Sequence, residues 1–251
     1  MSVARILIDV LPPPGTELIV PDDQAHHLRS VRRVRNNDLV QCIDRCGATA
    51  QASIIEITAT LVRVRVGGVM RASAPARGAA ARLVVMPALV PEARFDWILQ
   101  KCTEIGVAEC RPVVTARCVV RKVRGGFERK LTRWQKICDE AARQCGGPPM
   151  RMHTPCSFDD ALQADAPLRV IADRDGTPLS DGAGVPDRGI VEAALLVGPE
   201  GGFTDDELNR ACNCGWLKVA FNHNTMRVET AALVCCAVLQ HTLACAGGAG
   251  E

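Results

Sequence analysis

From residue 82 onward the chain alternates short apolar runs of strand length with longer segments of helical period, and this alternation restricts its fold more than any other feature. Strands are expected over residues 82–89, 110–115, 168–173, 193–197 and 217–221. Helices are expected over residues 93–105, 128–145, 205–214 and 230–244. The strand runs are apolar at consecutive positions, so both of their faces are expected to be covered. Strands of that kind separated by helices imply an α/β domain with a mostly parallel sheet.

Residues 1–66 read differently. Short runs over residues 39–44, 50–57 and 61–66 are apolar or alternating, with turn material at Asn36-Asn37-Asp38 and Cys46-Gly47. One helical segment, residues 26–34, places Leu28, Val31 and Val34 every three residues, with Arg29, Arg32, Arg33 and Arg35 on its other faces. The expectation is a small β-barrel-like domain carrying a basic helix. Residues 67–81 are rich in Gly, Ala, Ser and Pro and form the expected linker. The boundary falls near residue 75, giving domains 1–74 and 75–251.

Several function classes are excluded by composition. No run of 18 uninterrupted apolar residues exists, so no membrane partner is expected. The 13 cysteines form no C-x-x-C, and no His stands at ligand spacing beside the close pairs, so no metal is expected. Scattered thiols at positions where Ala or Val would serve suit a reducing cytoplasm. The chain has no Tyr, which argues against binding nucleic acid by extensive base stacking. Net charge is only +2, but residues 117–136 hold eight Lys/Arg against Glu128 alone. Such a local excess suits either a phosphate-facing surface or a solvated face.

Ligands of open α/β sheets bind outside the carboxyl ends of the strands, and two such ends stand out. After Val197, the loop Gly198-Pro199-Glu200-Gly201-Gly202 leads to Phe203 and a well-marked helix start. Thr204 is a natural N-cap, Glu207 completes a capping box, and Phe203 can staple against Leu208. Three glycines in five residues let main chain approach a ligand closely. Glu200, Asp205 and Asp206 would repel a polyphosphate, and no dinucleotide or P-loop fingerprint is present. A neutral adenosine carrying a cationic sulfonium fits the loop better; a tight turn with no ligand is the bland alternative. The second end follows residues 217–221, where Asn222-His223-Asn224-Thr225 leads through Arg227 and Glu229 into an apolar helix. Those two charged groups could pair at the helix start or face a substrate.

With both segments together, the sequence resembles the small-subunit ribosomal RNA uracil-N3 methyltransferases, the RsmE family of the SPOUT superfamily. Residues 197–203, Val-Gly-Pro-Glu-Gly-Gly-Phe, match that family's signature loop. Residues 226–231, Met-Arg-Val-Glu-Thr-Ala, match its second signature, Leu-Arg-x-Glu-Thr-Ala. Residues 97–107, 133–137, 140–146 and 23–28 agree as well, so the match covers nearly the whole chain. The chain departs from the family before the second signature, with Phe221-Asn222-His223-Asn224 in place of Leu-Gly-Pro-Arg.

The resemblance implies a PUA-like β-barrel domain followed by a SPOUT-type, trefoil-knotted α/β domain, a homodimer, and S-adenosylmethionine as cofactor. It implies methylation of a uridine in 16S ribosomal RNA, free or in the small ribosomal subunit, in the cytoplasm. Cofactor-binding residues carried over are Val197, Gly198, Pro199, Glu200, Gly201, Gly202, Phe221, Asn222, Met226 and Thr230. Arg227 and Glu229 become the catalytic candidates, with Arg227 clamping the uridine anion and Glu229 either holding Arg227 or taking the proton. Arg29, Arg32, Arg33, Arg117, Arg121, Lys122 and Arg124 are the expected RNA-binding residues. The rival expectation is a non-catalytic RNA-binding or ribosome-assembly factor that kept the fold.

Overall fold

The computed structural model describes residues 3–71, 82–120, 126–179 and 192–248. Most of the expected linker, and Arg121, Lys122 and Arg124, lie outside them. The chain divides into two units, Met1–Ala74 with Asp139–Pro149, and Pro75–Cys138 with Met150–Glu251.

In the first unit, β1 (Ala4–Ile8), β2 (Glu17–Ile19), β3 (Leu39–Asp44), β4 (Thr49–Ile57) and β5 (Val62–Arg71) form one sheet in the order β1-β3-β4-β5-β2. Only the β1–β3 pairing is parallel. Ile6, Val40, Cys42, Ile54, Val64 and Leu28 make its core. Two strands escape the alternation test because each is too short to show a pattern: β2 has three residues and β1 five.

The basic helix begins earlier than expected. Helix α1 (Asp22–His27) starts on two acids, favourable at the positive end of the dipole, and widens into a π-helical turn over Leu28–Arg32. Arg33 ends it with φ 51°. The wide turn explains why Leu28 is buried while Val31, three residues on, is 63% exposed. Gln24 ties α1 to β1, its side-chain amide bonding both the N–H and the carbonyl of Leu7. The segment Asp139–Pro149 is held within this unit by two arginines. Arg5 donates to the carbonyls of Arg143 and Gln144 at 3.2 and 2.7 Å, and Arg45 pairs with Asp139 at 3.1 Å.

From residue 82 the chain runs β6 (Arg82–Pro87), α2 (Glu92–Glu104), β7 (Glu109–Cys110), β8 (Val113–Val114), α3 (Glu128–Cys145, counted with the first unit from Asp139 on), β9 (Arg151–Met152), β10 (Cys156–Ser157), α4 (Phe158–Leu162), β11 (Leu168–Pro178), β12 (Glu192–Val197), α5 (Asp205–Asn213), β13 (Leu217–Ala220) and α6 (Val228–Gly248). Six strands form a sheet ordered β13-β11-β12-β6-β7-β9, parallel at every pairing. The strand expected over residues 110–115 is broken at Pro112, which lacks an N–H for a ladder. The pieces β7 and β8 on either side join different partners, β8 pairing with β10.

Successive β12 residues divide between two cores. Ala193, Leu195 and Val197 join a cluster with Phe95, Ile98 and Leu239, while Ala194 and Leu196 join one with Phe158, Phe203 and Trp216. Both faces of the strand are therefore covered, which is why its sequence carries no polar alternation. Strand β12 lies between β11 and β6, so its carboxyl end opens at the middle of the sheet.

Candidate active site

Three strand ends build the site. Strand β12 runs out at Val197 into residues 198–203, whose Gly202 N–H closes a turn on the Pro199 carbonyl at 2.8 Å. Gly202 has φ +68°, a region closed to most side chains. The helix that follows is capped as its sequence specifies. Thr204 Oγ1 accepts from the Glu207 N–H, and Glu207 Oε2 accepts from the Thr204 N–H at 2.9 Å. Phe203 is buried, and Leu208 packs against the same cluster. Glu207 Oε1 also accepts from the Ala116 N–H at 2.7 Å, so this buried carboxylate joins the helix start to the turn at Thr115–Cys118.

Strand β11 supplies the second end. Its pairing with β13 jumps from Ala172↔Val219 to Thr177↔Val219, so the residues between leave the ladder and return to the same partner. Gly176 lies where they return. A Cβ there would stand 2.7 Å from the Val219 carbonyl carbon and 2.8 Å from the Lys218 carbonyl, all backbone. Glycine is required by that approach alone. The third end is β13, followed by Phe221-Asn222-His223-Asn224-Thr225 and the start of α6, where the Ala231 N–H bonds the Arg227 carbonyl at 2.8 Å.

These ends enclose a cavity of about 410 Å³. Its wall contains Val197, Gly198, Pro199, Glu200, Gly201, Gly202, Phe221, Asn222 and Met226, nine of the ten expected cofactor residues; Thr230 is exposed and not in the wall. Ala172, Asp173, Arg174, Asp175 and Lys218 complete the polar side, and Val228, Ala231 and Cys235 the apolar floor. The carboxyl end of β11 went unnoticed in the sequence, although the rule that pointed to the other two strand ends applies to it equally.

Charge in the wall favours a cation, with Asp173, Asp175, Glu200 and Asp205 against Arg174 and Lys218. Lys218 lies 3.8 Å from Asp173, Arg174 pairs with Asp175 at 3.2 Å, and Glu200 pairs with Arg94 from α2. The Arg174 hydrogen bond holds the Asp175 carboxyl below its ordinary range. Burial pushes the Cys235 thiol up to about 12, so this cysteine is a neutral wall, not a nucleophile.

Arg227 and Glu229 stand at the start of α6 beside the cavity but not in its wall. Arg227 is exposed. Glu229 is half-buried, and its Oε2 is shielded from solvent with no hydrogen-bond partner among the described residues. Of the expected RNA contacts, Arg32 and Arg33 are exposed, and Arg29 is half-buried and donates to the Thr58 carbonyl. Arg117 turns to the glycine loop instead, its Nη1 donating to the carbonyls of Gly201 at 2.6 Å and Phe203 at 3.1 Å.

A family model described as an RNA methyltransferase domain matches residues 78–240, and one described as an RNA methyltransferase PUA domain matches residues 20–67. This chain belongs to the RNA methyltransferase domain family. Its α/β unit is of the SPOUT type and its first unit is PUA-like. A ribosomal RNA small subunit methyltransferase E of Mycobacterium bovis is 27% identical over 242 residues, covering 93% of this chain and 90% of its own. A protein of Legionella pneumophila solved in complex with the bound cofactor SAM is similar over 96% of this chain and 98% of its own, with 25% identity and a TM-score of 0.86. A ribosomal RNA small subunit methyltransferase E from Neisseria gonorrhoeae, bound to S-adenosyl methionine, shares the fold at the same coverage and TM-score with 24% identity. Among the described residues no group of His, Cys, Asp and Glu could hold a metal, and no helix is long and apolar enough to cross a membrane.

Proposed function

We propose that this RNA methyltransferase binds S-adenosylmethionine in the cavity at the carboxyl ends of β11, β12 and β13, and methylates ring nitrogen 3 of a uridine in small-subunit ribosomal RNA. The observation that carries the reading is the cavity itself. Its volume suits a nucleoside-sized ligand. Its excess of carboxylates suits a sulfonium and an ammonium, and its glycine loop leaves room for adenosine against the main chain. The bound cofactor supplies an electrophilic methyl group on sulfur.

The protein's residues must then hold the uridine ring in line with that methyl and manage one proton. The imide nitrogen is a poor nucleophile until its proton leaves, and the base then carries negative charge. Arg227, exposed at the head of α6, is the clamp for that charge. Glu229, with one shielded oxygen and no partner for it among the described residues, holds Arg227 or accepts the proton. A buried acceptor without a partner costs on the order of 1–3 kcal/mol, which supports a role completed only when RNA or a second copy arrives. Alignment supplies much of the remaining barrier reduction.

Residues 1–74, joined by the segment 139–149, serve as the PUA-like RNA-binding domain, and the rest of residues 75–251 as the catalytic domain that carries the trefoil knot. Arg29, Arg32 and Arg33 face phosphate, together with Arg121, Lys122 and Arg124. The enzyme works as a homodimer in the cytoplasm. Trp97 on α2 and Val238 on α6 support the dimer, being 38% and 36% exposed on helices that pack against each other. Calorimetry with S-adenosylmethionine, followed by nucleoside mass spectrometry of undermethylated small-subunit RNA treated with the protein, tests the reading. Cofactor binding with 3-methyluridine formation is expected. Binding of RNA without binding of cofactor would favour the non-catalytic assembly factor.

A further inference from the structure

We infer that Arg117 is a positioning residue for methyl transfer, a brace that sets the shape of the cofactor loop from outside the cavity, and not an RNA contact. This inference rests on the cofactor reading above. Arg117 sits at the tip of a turn whose two ends are anchored. Thr115 and Cys118 are both 3% exposed, the Cys118 N–H bonds the Thr115 carbonyl at 3.2 Å, and between them the Ala116 N–H bonds Glu207. From this platform one guanidinium nitrogen reaches two carbonyls of the loop, Gly201 and Phe203.

Those two carbonyls belong to the peptide planes that decide the loop's path. A trans peptide is planar, so fixing its oxygen also fixes the N–H on the opposite side. The plane carrying the Gly201 oxygen carries the Gly202 N–H, which bonds Pro199. The plane carrying the Phe203 oxygen carries the Thr204 N–H, which bonds Glu207. Arg117 therefore holds the peptides on either side of the Gly202–Phe203 pair, whose first residue has positive φ. The same side chain closes the loop's outer side. A Cβ on Gly201 would meet Arg117 Cδ at 3.3 Å and Cβ at 3.5 Å. A side chain at position 201 would thus press on the brace, reaching the cavity wall only by moving it.

A cationic donor to neutral carbonyls is a charge-assisted bond, stronger than the neutral kind. Without it the loop keeps its internal turn and its cap, but each of those two peptide planes loses one of its two anchors and gains freedom. Ordering that freedom again on binding weakens affinity for whatever the loop must cradle.

The test uses the full-length protein as wild type, Arg117→Ala and Arg117→Lys. Calorimetry gives the S-adenosylmethionine dissociation constant, and filter binding against salt concentration gives the RNA affinity and its slope. Hydrogen exchange reads the Gly202 and Thr204 amides without any cofactor. Arg117→Ala should raise the cofactor Kd by about tenfold, speed exchange at both amides, and leave RNA affinity and salt slope unchanged. Arg117→Lys, whose ammonium can reach the same carbonyls, should recover most of the affinity. A cofactor Kd and exchange rates that match wild type would overturn the brace. So would a salt slope reduced by about one, the mark of a lost phosphate contact. Failure of the wild type to bind cofactor would instead sink the cofactor reading, with the exchange rates still deciding whether Arg117 holds the loop.

Discussion

Replacing Glu207 with alanine should destabilise the methyltransferase unit far more than losing a helix cap does. The carboxylate is buried at 4% exposure and accepts from the backbone N–H groups of Thr204 and Ala116 at 2.9 and 2.7 Å. Alanine removes both acceptors where water has little access, at about 1–3 kcal/mol each. The Thr204 half of the cap survives, because position 207 still offers its N–H. The expected loss is about 2–5 kcal/mol, which for a domain of this size lowers Tm by roughly 5–15 °C. A matched control lies in α4, whose own capping box pairs Ser157 with Asp160 at an exposed site. Ser157→Ala should cost only about 1 kcal/mol. Urea denaturation of both variants with wild type gives the comparison, and Glu207→Gln, keeping one acceptor oxygen, should fall between. A Glu207→Ala loss no larger than that of Ser157→Ala would refute the claim that this carboxylate ties the Ala116 turn to the cofactor loop.

Gly176→Ala should cost about 3 kcal/mol by overpacking and weaken cofactor binding, since backbone atoms at 2.7–2.8 Å cannot turn aside; an unchanged urea midpoint would show that β13 shifts freely. Arg227→Ala and Glu229→Gln should each lower single-turnover methyl transfer by about a hundredfold or more while cofactor Kd stays put, and wild-type turnover in either removes that residue from the chemistry. Glu109 gives a pH test. Burial would raise its pKa, but hydrogen bonds and charge from His153 and Arg82 prevail and hold it below the ordinary value. Its folded pKa being the lower one, its contribution to stability is complete above the unfolded value of about 4.3 and disappears as pH falls through the folded value. Glu109→Gln should therefore flatten the acid limb of Tm against pH, and an unaltered limb would assign that limb to other carboxylates.

Elements whose pattern is set by local chemistry were legible in the sequence. The long helices, the buried strands and the Thr204–Glu207 cap all announce themselves within a dozen residues. So did the two signature segments, which the fold brings to one cavity from positions about 25 residues apart. What stayed hidden depends on partners distant in the chain. Arg117 looks like one charge in a basic run, and only the folded chain shows that its guanidinium turns to the Gly201 and Phe203 carbonyls, 84 and 86 positions away. The expected strand stops at residue 173, and only the jump in β11 pairing shows that Asp173, Arg174 and Asp175 reach the cavity wall. Val31 misled for a geometric reason, since a three-residue repeat assumes a regular helix and the turn there is wider.

The claim of the first unit on residues 139–149 makes it discontinuous in the gene. A fragment ending at residue 74 would leave Arg5 without its helix-end carbonyls and Arg45 without Asp139. Such a piece would keep the apolar core built on Ile6, Val40, Ile54 and Val64 but lose those polar anchors, which a peptide spanning the eleven residues should restore when supplied in trans. Recombination that exchanged only the N-terminal module between relatives would break the same contacts, which couples inheritance of the PUA-like unit to that of the methyltransferase unit that follows it.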